Sequence, residues 1–205
     1  YWVSLLFIIQ ISIVYFFAAV AKFYPDWLDG TFTKNLLIGS TDISFIQNIF
    51  SKKLFYLFIA YSGIVFDLLI VPFLLFKKTR TVAFIASLIF HIFNAIALQI
   101  GIFPFFALCF IIFFYEPETI RKIFFRKRIS ISTETINLKQ AKVVRYILIP
   151  FLIVQLLLPI RHHFIKGDVL LTEEGHRLSW RMMLRQKSGY IQFTIVDNDT
   201  QKSTA

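Results

Sequence analysis

The chain has 205 residues, 57% of them hydrophobic and 26 of them phenylalanine, with a mean hydropathy of +0.69. This composition excludes an ordinary soluble domain and places the chain among integral membrane proteins in contact with the lipid bilayer. The net charge of +10 does not point to nucleic acid. No nucleic-acid motif accompanies it, and the basic residues cluster beside apolar runs, as in loops that face anionic headgroups.

The first apolar segment, residues 2–22, has no charged side chain before Lys22, and about 20 apolar residues suffice to cross a bilayer as a helix. The chain opens on Tyr1 without a basic leader, so it reads as a fragment of a longer protein rather than as a cleaved signal peptide. Lys22 falls at the end of this span and is followed by FYPDWLDG. Two readings of it stay open. It is a snorkelling anchor at the interface, or it is a base whose ammonium form is disfavoured by apolar surroundings.

The connecting stretch 23–53 alternates polar and apolar residues, which predicts short helices lying along the interface. Residues 54–76 form the second span. Asp67 is embedded in it and is expected near the midplane or deeper, either as a hydrogen-bonded helix contact or as a functional group. The third span, 81–99, carries His91, Asn94 and Gln99 at spacings that share one helix face. They read either as helix–helix contacts or as the lining of a pocket. Gly101 and Pro104 predict a tight turn into a fourth span over 102–115, and residues 144–160 form the fifth. The basic KKTR turn and the eight Lys and Arg between Arg121 and Arg145 fall on one side only if all five segments cross. The positive-inside rule therefore predicts five spans, with Lys22, Gln99 and the exit sequence Arg161-His162-His163 on the outer side.

The expected fold is an all-α polytopic membrane bundle over residues 1–160, followed at 161–205 by the start of an extramembrane β-rich domain. Within that domain 189–197 alternates like a strand. Cys109 is the sole cysteine, so no intrachain disulfide forms. No metal is expected, because adjacent histidines on a helix point apart and no Cys or Glu completes a ligand set. Phosphate loops, hydrolase elbows and metalloprotease helices are also missing from the sequence. Read from residues alone, the chain is a membrane protein with a polar-lined cavity that contains one amine, and the reaction is unnamed.

Four segments, in order, carry a resemblance that goes further. YFFAAVAKFYPDWLDG (15–30), SGIVFDLLIVPFLLF (62–76), FHIFNAIALQIGIF (90–103) and LLPIRHHFIKGDVLLTEEGHRLSWRMML (157–184) resemble the vitamin K-dependent γ-carboxylase family. That family includes bacterial relatives built on the HTTM (horizontally transferred transmembrane) domain. The resemblance implies a membrane enzyme of the carbon–carbon lyase type. It would use a reduced quinone (vitamin K or menaquinol-like) and O2 to generate a base that removes a glutamate γ-proton, and the carbanion would capture CO2. It also implies Lys22 as the catalytic base, although the family's preceding lysine aligns with Ala21. Deprotonating a quinol needs a neutral amine, and burial disfavours the ammonium. Asp26 and Asp29 are expected to point away from Lys22. His91 and Asn94 become candidate quinol-binding residues. Arg161, His162, His163, Trp180 and Arg181 become candidates for the mouth that takes a glutamate-containing peptide. The implied location is the bacterial inner membrane, with the site on the periplasmic side. Two alternatives stay beside this reading: a quinone- or lipid-binding membrane protein that carboxylates no peptide, and a channel or transporter resting on Asp67 and His91.

Overall fold

The computed structural model describes residues 2–98, 100–125, 142–181, 192–193, 195–196 and 203–204. Helix α1 (Trp2–Ala21) is 20 residues long, about 30 Å at 1.5 Å per residue, which matches a bilayer core. A narrow stripe of it is buried, including Tyr15, Ala18, Ala19 and Ala21, while Leu5, Phe16 and Val20 face outward. Small residues on the buried stripe allow close approach to a neighbouring helix. That neighbour is α5 (Lys53–Leu75), which meets α1 with the fully buried Ala60 and with Gly63.

Between these two helices the chain folds back in three short helices, α2 (Pro25–Leu28), α3 (Thr31–Gly39) and α4 (Ser44–Phe50). Pro25 starts α2 at a position where its missing N–H costs nothing. Gly30 links α2 to α3 with φ +80°, and a Cβ there would come within 2.5 Å of the Tyr56 ring. Asp29 Oδ1 accepts from the Thr31 N–H at 2.7 Å and secures the same turn. Thr33 and Leu37 of α3 are buried, so this segment packs inward rather than lying only along an interface.

Helix α6 (Arg80–Ala97) follows the KKTR turn. Arg80 Nε donates to the Leu74 carbonyl at 2.9 Å and Nη2 to Leu75 at 3.2 Å, so a cation closes the carbonyl end of α5. Ala83, Ser87, His91 and Asn94 form the buried face of α6. After the turn at Gly101, α7 (Phe103–Phe110) and a 3-10 turn (Ile111–Phe114) precede α8 (Pro117–Phe125). The axis bends by 116° at this break.

Four helices are long and apolar enough to cross a membrane, and five spans result when the bent pair is counted as one. The fold is therefore an all-α membrane bundle. The segment expected as the fourth span has eight residues of α-helix and four of 3-10 helix, short for a bilayer core of about 30 Å, yet it runs back to the KKTR turn, where Glu116 pairs with Lys77 and the Arg80 guanidinium lies over the Tyr115 ring. The last span runs Val144–Phe164, through a π-helical turn (Val144–Leu148), α9 (Ile149–Leu157) and a 3-10 segment (Leu158–Phe164). Pro150 and Pro159 explain these departures, since each removes a helical N–H. Gln10 of α1 donates to Gln155 of α9 at 3.4 Å.

Beyond the last span, Asp168 caps α10 (Val169–Thr172), accepting from the Leu170 N–H at 2.8 Å. In the expected β region, β1 (Ile195–Val196) pairs antiparallel with β2 (Ser203–Thr204). Most of the predicted strand 189–197, like Gln99, lies outside the described residues.

Candidate functional site

Lys22 follows the last residue of α1, and its direction decides its surroundings. Side chains on a helix tilt toward the N-terminus, so a lysine at the C-terminal end of α1 points back into the bundle rather than out of it. Its Nζ reaches the Ala18 carbonyl at 3.3 Å and forms an ion pair and hydrogen bond with Asp67 Oδ2. Lys22 is 7% exposed and Asp67 6%, so the amine does not snorkel. The Trp27 ring covers it, with the centroid 5.3 Å from Nζ, and the indole N–H is held by the Ala60 carbonyl at 3.0 Å. The lysine stem passes beside Gly63, one turn before Asp67 on α5.

A second polar pair lies deeper. Tyr15 Oη and His91 Nε2 are 2.8 Å apart, joining α1 to α6. The His91 ring is 1% exposed and sits edge-on to Phe66, Phe90 and Phe103, with centroids 5.4–6.2 Å away. His91 Nδ1 has no hydrogen-bond partner among the described residues.

Both pairs open onto one cavity of about 90 Å³ between α1, α3, α5 and α6. Its polar lining comes from Tyr15, Lys22, Thr33, Ser62, Asp67, His91 and Asn94, set among phenylalanines and Trp27. The three site residues expected in the span region, Lys22, His91 and Asn94, are thus brought together. Asp26 and Asp29 make no ion pair with Lys22. The partner is Asp67, which sequence reasoning had set apart from the lysine.

Comparison with known families gives two matches. Residues 1–118 match the HTTM domain. The chain belongs to the HTTM domain family. Residues 140–205 match the lumenal domain of vitamin K-dependent gamma-carboxylase, a match that begins ahead of the last span. Together they mark a membrane protein related to the carboxylases. No solved structure matches the chain.

In this HTTM protein the remaining predicted residues, Arg161, His162, His163, Trp180 and Arg181, do not line the cavity. They gather in the segment after the last span. His162 Nε2 lies 3.2 Å from Arg181 Nη1, Arg161 Nη2 donates to the Arg177 carbonyl at 2.7 Å, and the His163 ring rests 4.0 Å from that of His162. Gly175 packs so close that a Cβ would lie 2.9 Å from His162 Cβ. The segment docks beside the Lys22 end of α1, with Leu170 packed on the Trp27 cluster and the Asp168 carboxylate near the Tyr24 hydroxyl. Burial, and then the Asp168 charge, push the Tyr24 hydroxyl above its ordinary value.

Sequence reasoning missed Tyr15 and Thr33 as cavity residues. Tyr15 had a usable signal, since it lies seven residues before Lys22 and so two turns away on the same face of α1. Thr33 had none, because its burial depends on how α3 folds back.

Proposed function

We propose that this protein is a γ-carboxylase-like, quinol-dependent membrane enzyme in which Lys22 acts as the base. The single observation that carries this reading is the buried Lys22–Asp67 pair opening onto a Phe-lined cavity among the membrane helices. A lysine buried on a membrane helix is costly, and such groups are typically functional. Asp67, paired with the amine, is placed to take its proton, which would leave the amine free to act as a base. Sequence resemblance and the gamma-carboxylase lumenal match support the same reaction class.

The lining suits a reduced quinone. Its aromatic walls match an apolar ring and tail, and the unpartnered buried Nδ1 of His91 suits an oxygen on that ring. When bound, a quinol supplies the reducing equivalents and, with O2, the strong base needed to remove a glutamate γ-proton. Lys22 would accept a proton from the quinol hydroxyl, and His91 and Asn94 would orient the ring. An apolar cavity of roughly 150 Å³ is what admits benzene. At about 90 Å³ this cavity takes a bicyclic ring only when side chains such as Phe93 and Phe103 move.

The peptide would dock nearby, on the segment after the last span. Arg161 Nε, Trp180 Nε1 and Arg181 Nε are buried N–H groups without a partner among the described residues, which supports capture of a carboxylate. Residues 1–160 would act as the membrane domain and 161–205 as the start of the outer domain, with the site on the periplasmic side of a bacterial inner membrane.

The test is Lys22→Ala in membranes supplied with reduced naphthoquinone, O2, labelled bicarbonate and a Glu-containing peptide. Loss of quinol epoxidation with insertion and folding retained supports the assignment, and retained epoxidation ends it. Quinol turnover in the unmutated protein without label in the peptide favours a quinone-acting HTTM protein that does not carboxylate.

A further inference from the structure

Besides Gln10 Oε1, three buried side-chain atoms among the membrane helices or packed on them have no hydrogen-bond partner among the described residues: Thr33 Oγ1, Ser87 Oγ and His91 Nδ1. Thr33, Ser87 and His91 are each at most 1% exposed. Thr33 and His91 line the cavity, whereas Ser87 does not. A buried hydroxyl or imidazole nitrogen left unpaired is unfavourable, and native proteins satisfy nearly all such groups. Two of them lining one cavity from different helices, beside a cation, mark hydrogen-bonding stations for a ligand.

The tautomer of His91 follows from counting. If Tyr15 donates its hydroxyl proton to Nε2, one group stays unpaired, the Nδ1–H. If Nε2–H donates to Tyr15 instead, two stay unpaired, the phenol proton and the Nδ1 lone pair. The first arrangement is assigned, so His91 offers the cavity a donor. Thr33 is different, because its hydroxyl both donates and accepts. It is carried there by α3, held in place by the Asp29 turn and the left-handed Gly30.

We propose that Thr33 is a ligand-positioning residue. It binds one ring oxygen while His91 binds the other, so the cavity selects flat rings that carry two oxygens. Because the threonine hydroxyl serves a carbonyl by donating and a hydroxyl by accepting, it holds both the oxidised and the reduced ring. The inference rests on the quinol reading above and names which of this chain's groups would read the ligand.

The test measures binding rather than turnover. The full chain in nanodiscs is titrated with a 1,4-naphthoquinone and, separately, with 1-naphthol, and quenching of tryptophan fluorescence is followed, Trp27 being part of the cavity lining. Thr33→Val keeps the shape and removes the hydroxyl. It is expected to weaken the naphthoquinone roughly threefold to tenfold, the worth of one hydrogen bond. It should change naphthol binding less than about twofold, since a single oxygen turns to whichever station remains. Ser87→Ala, a buried unpartnered hydroxyl away from the cavity, should change neither. Equal naphthoquinone binding by Thr33→Val overturns the role of Thr33, as does equal weakening of both ligands, which would mark a structural effect. If the unmutated protein binds no naphthoquinone, the quinol reading itself falls, and this inference with it.

Discussion

Lys22, at the end of the first membrane helix, and Asp67, one turn beyond Gly63 on α5, form an ion pair closed off from solvent. Two charges in such a place are held by each other and by the Ala18 carbonyl. Removing one strands the other in an apolar setting, which typically costs about 3–5 kcal/mol. Asp67→Asn and Lys22→Met should each lower the melting temperature in detergent. The double variant Lys22→Met/Asp67→Leu should recover most of that loss, because a well-packed apolar pair commonly replaces a buried ion pair without penalty. Quinol turnover should stay absent in the double variant. A double variant as unstable as the singles would show that the pair does more than compensate its own charges.

Gly30 should tolerate no side chain. Its φ of +80° lies in the left-handed region, and a Cβ would overlap the Tyr56 ring. Gly30→Ala is expected to cost about 1–3 kcal/mol and to dislodge α3. Because α3 carries Thr33, naphthoquinone binding should weaken together with stability. Thermal unfolding and ligand titration on the same preparation check both.

The docking of the segment after the last span should depend on alkaline pH. The Tyr24 hydroxyl is held above its ordinary value of 10.0 by burial and by Asp168. A group with a raised folded value contributes stability that is fully present below the unfolded value and is lost as pH rises through the folded one. Hydrogen exchange in residues 161–181 should therefore accelerate above about pH 10, and Tyr24→Phe should remove that alkaline step.

Orientation can be read by cysteine labelling. In a Cys109→Ala background, Asp42→Cys should react with an impermeant maleimide from the periplasmic side. Lys78→Cys, in the basic turn, should react only after the inner face is exposed. Both positions are exposed. Labelling of both from one side would contradict the proposed arrangement.

The membrane helices were legible because a bilayer imposes its thickness on contiguous residues, and the apolar runs ending near Lys22, Phe76, Gln99 and Ile160 record that demand directly. The shared face of His91 and Asn94 was legible for the same local reason, helical periodicity. The fourth segment was legible as an apolar run, but the bend at Tyr115–Glu116 that ends it was not, because that bend depends on how the chain leaves the bundle.

By itself, then, the sequence determined a membrane bundle, a lysine at a helix end, a polar face on α6 and the family likeness, all of which rest on local pattern. The tertiary structure alone decided that Lys22 turns inward, that its partner is Asp67 rather than Asp26 or Asp29, that Tyr15 holds His91, and that Thr33 reaches the same cavity. It also separated Arg161, His162, His163, Trp180 and Arg181 from that cavity. These relationships join residues far apart in the chain, where no spacing rule applies. They follow from the backward tilt of helical side chains, from small residues that let α1 and α5 approach, and from a glycine turn that folds α3 against them.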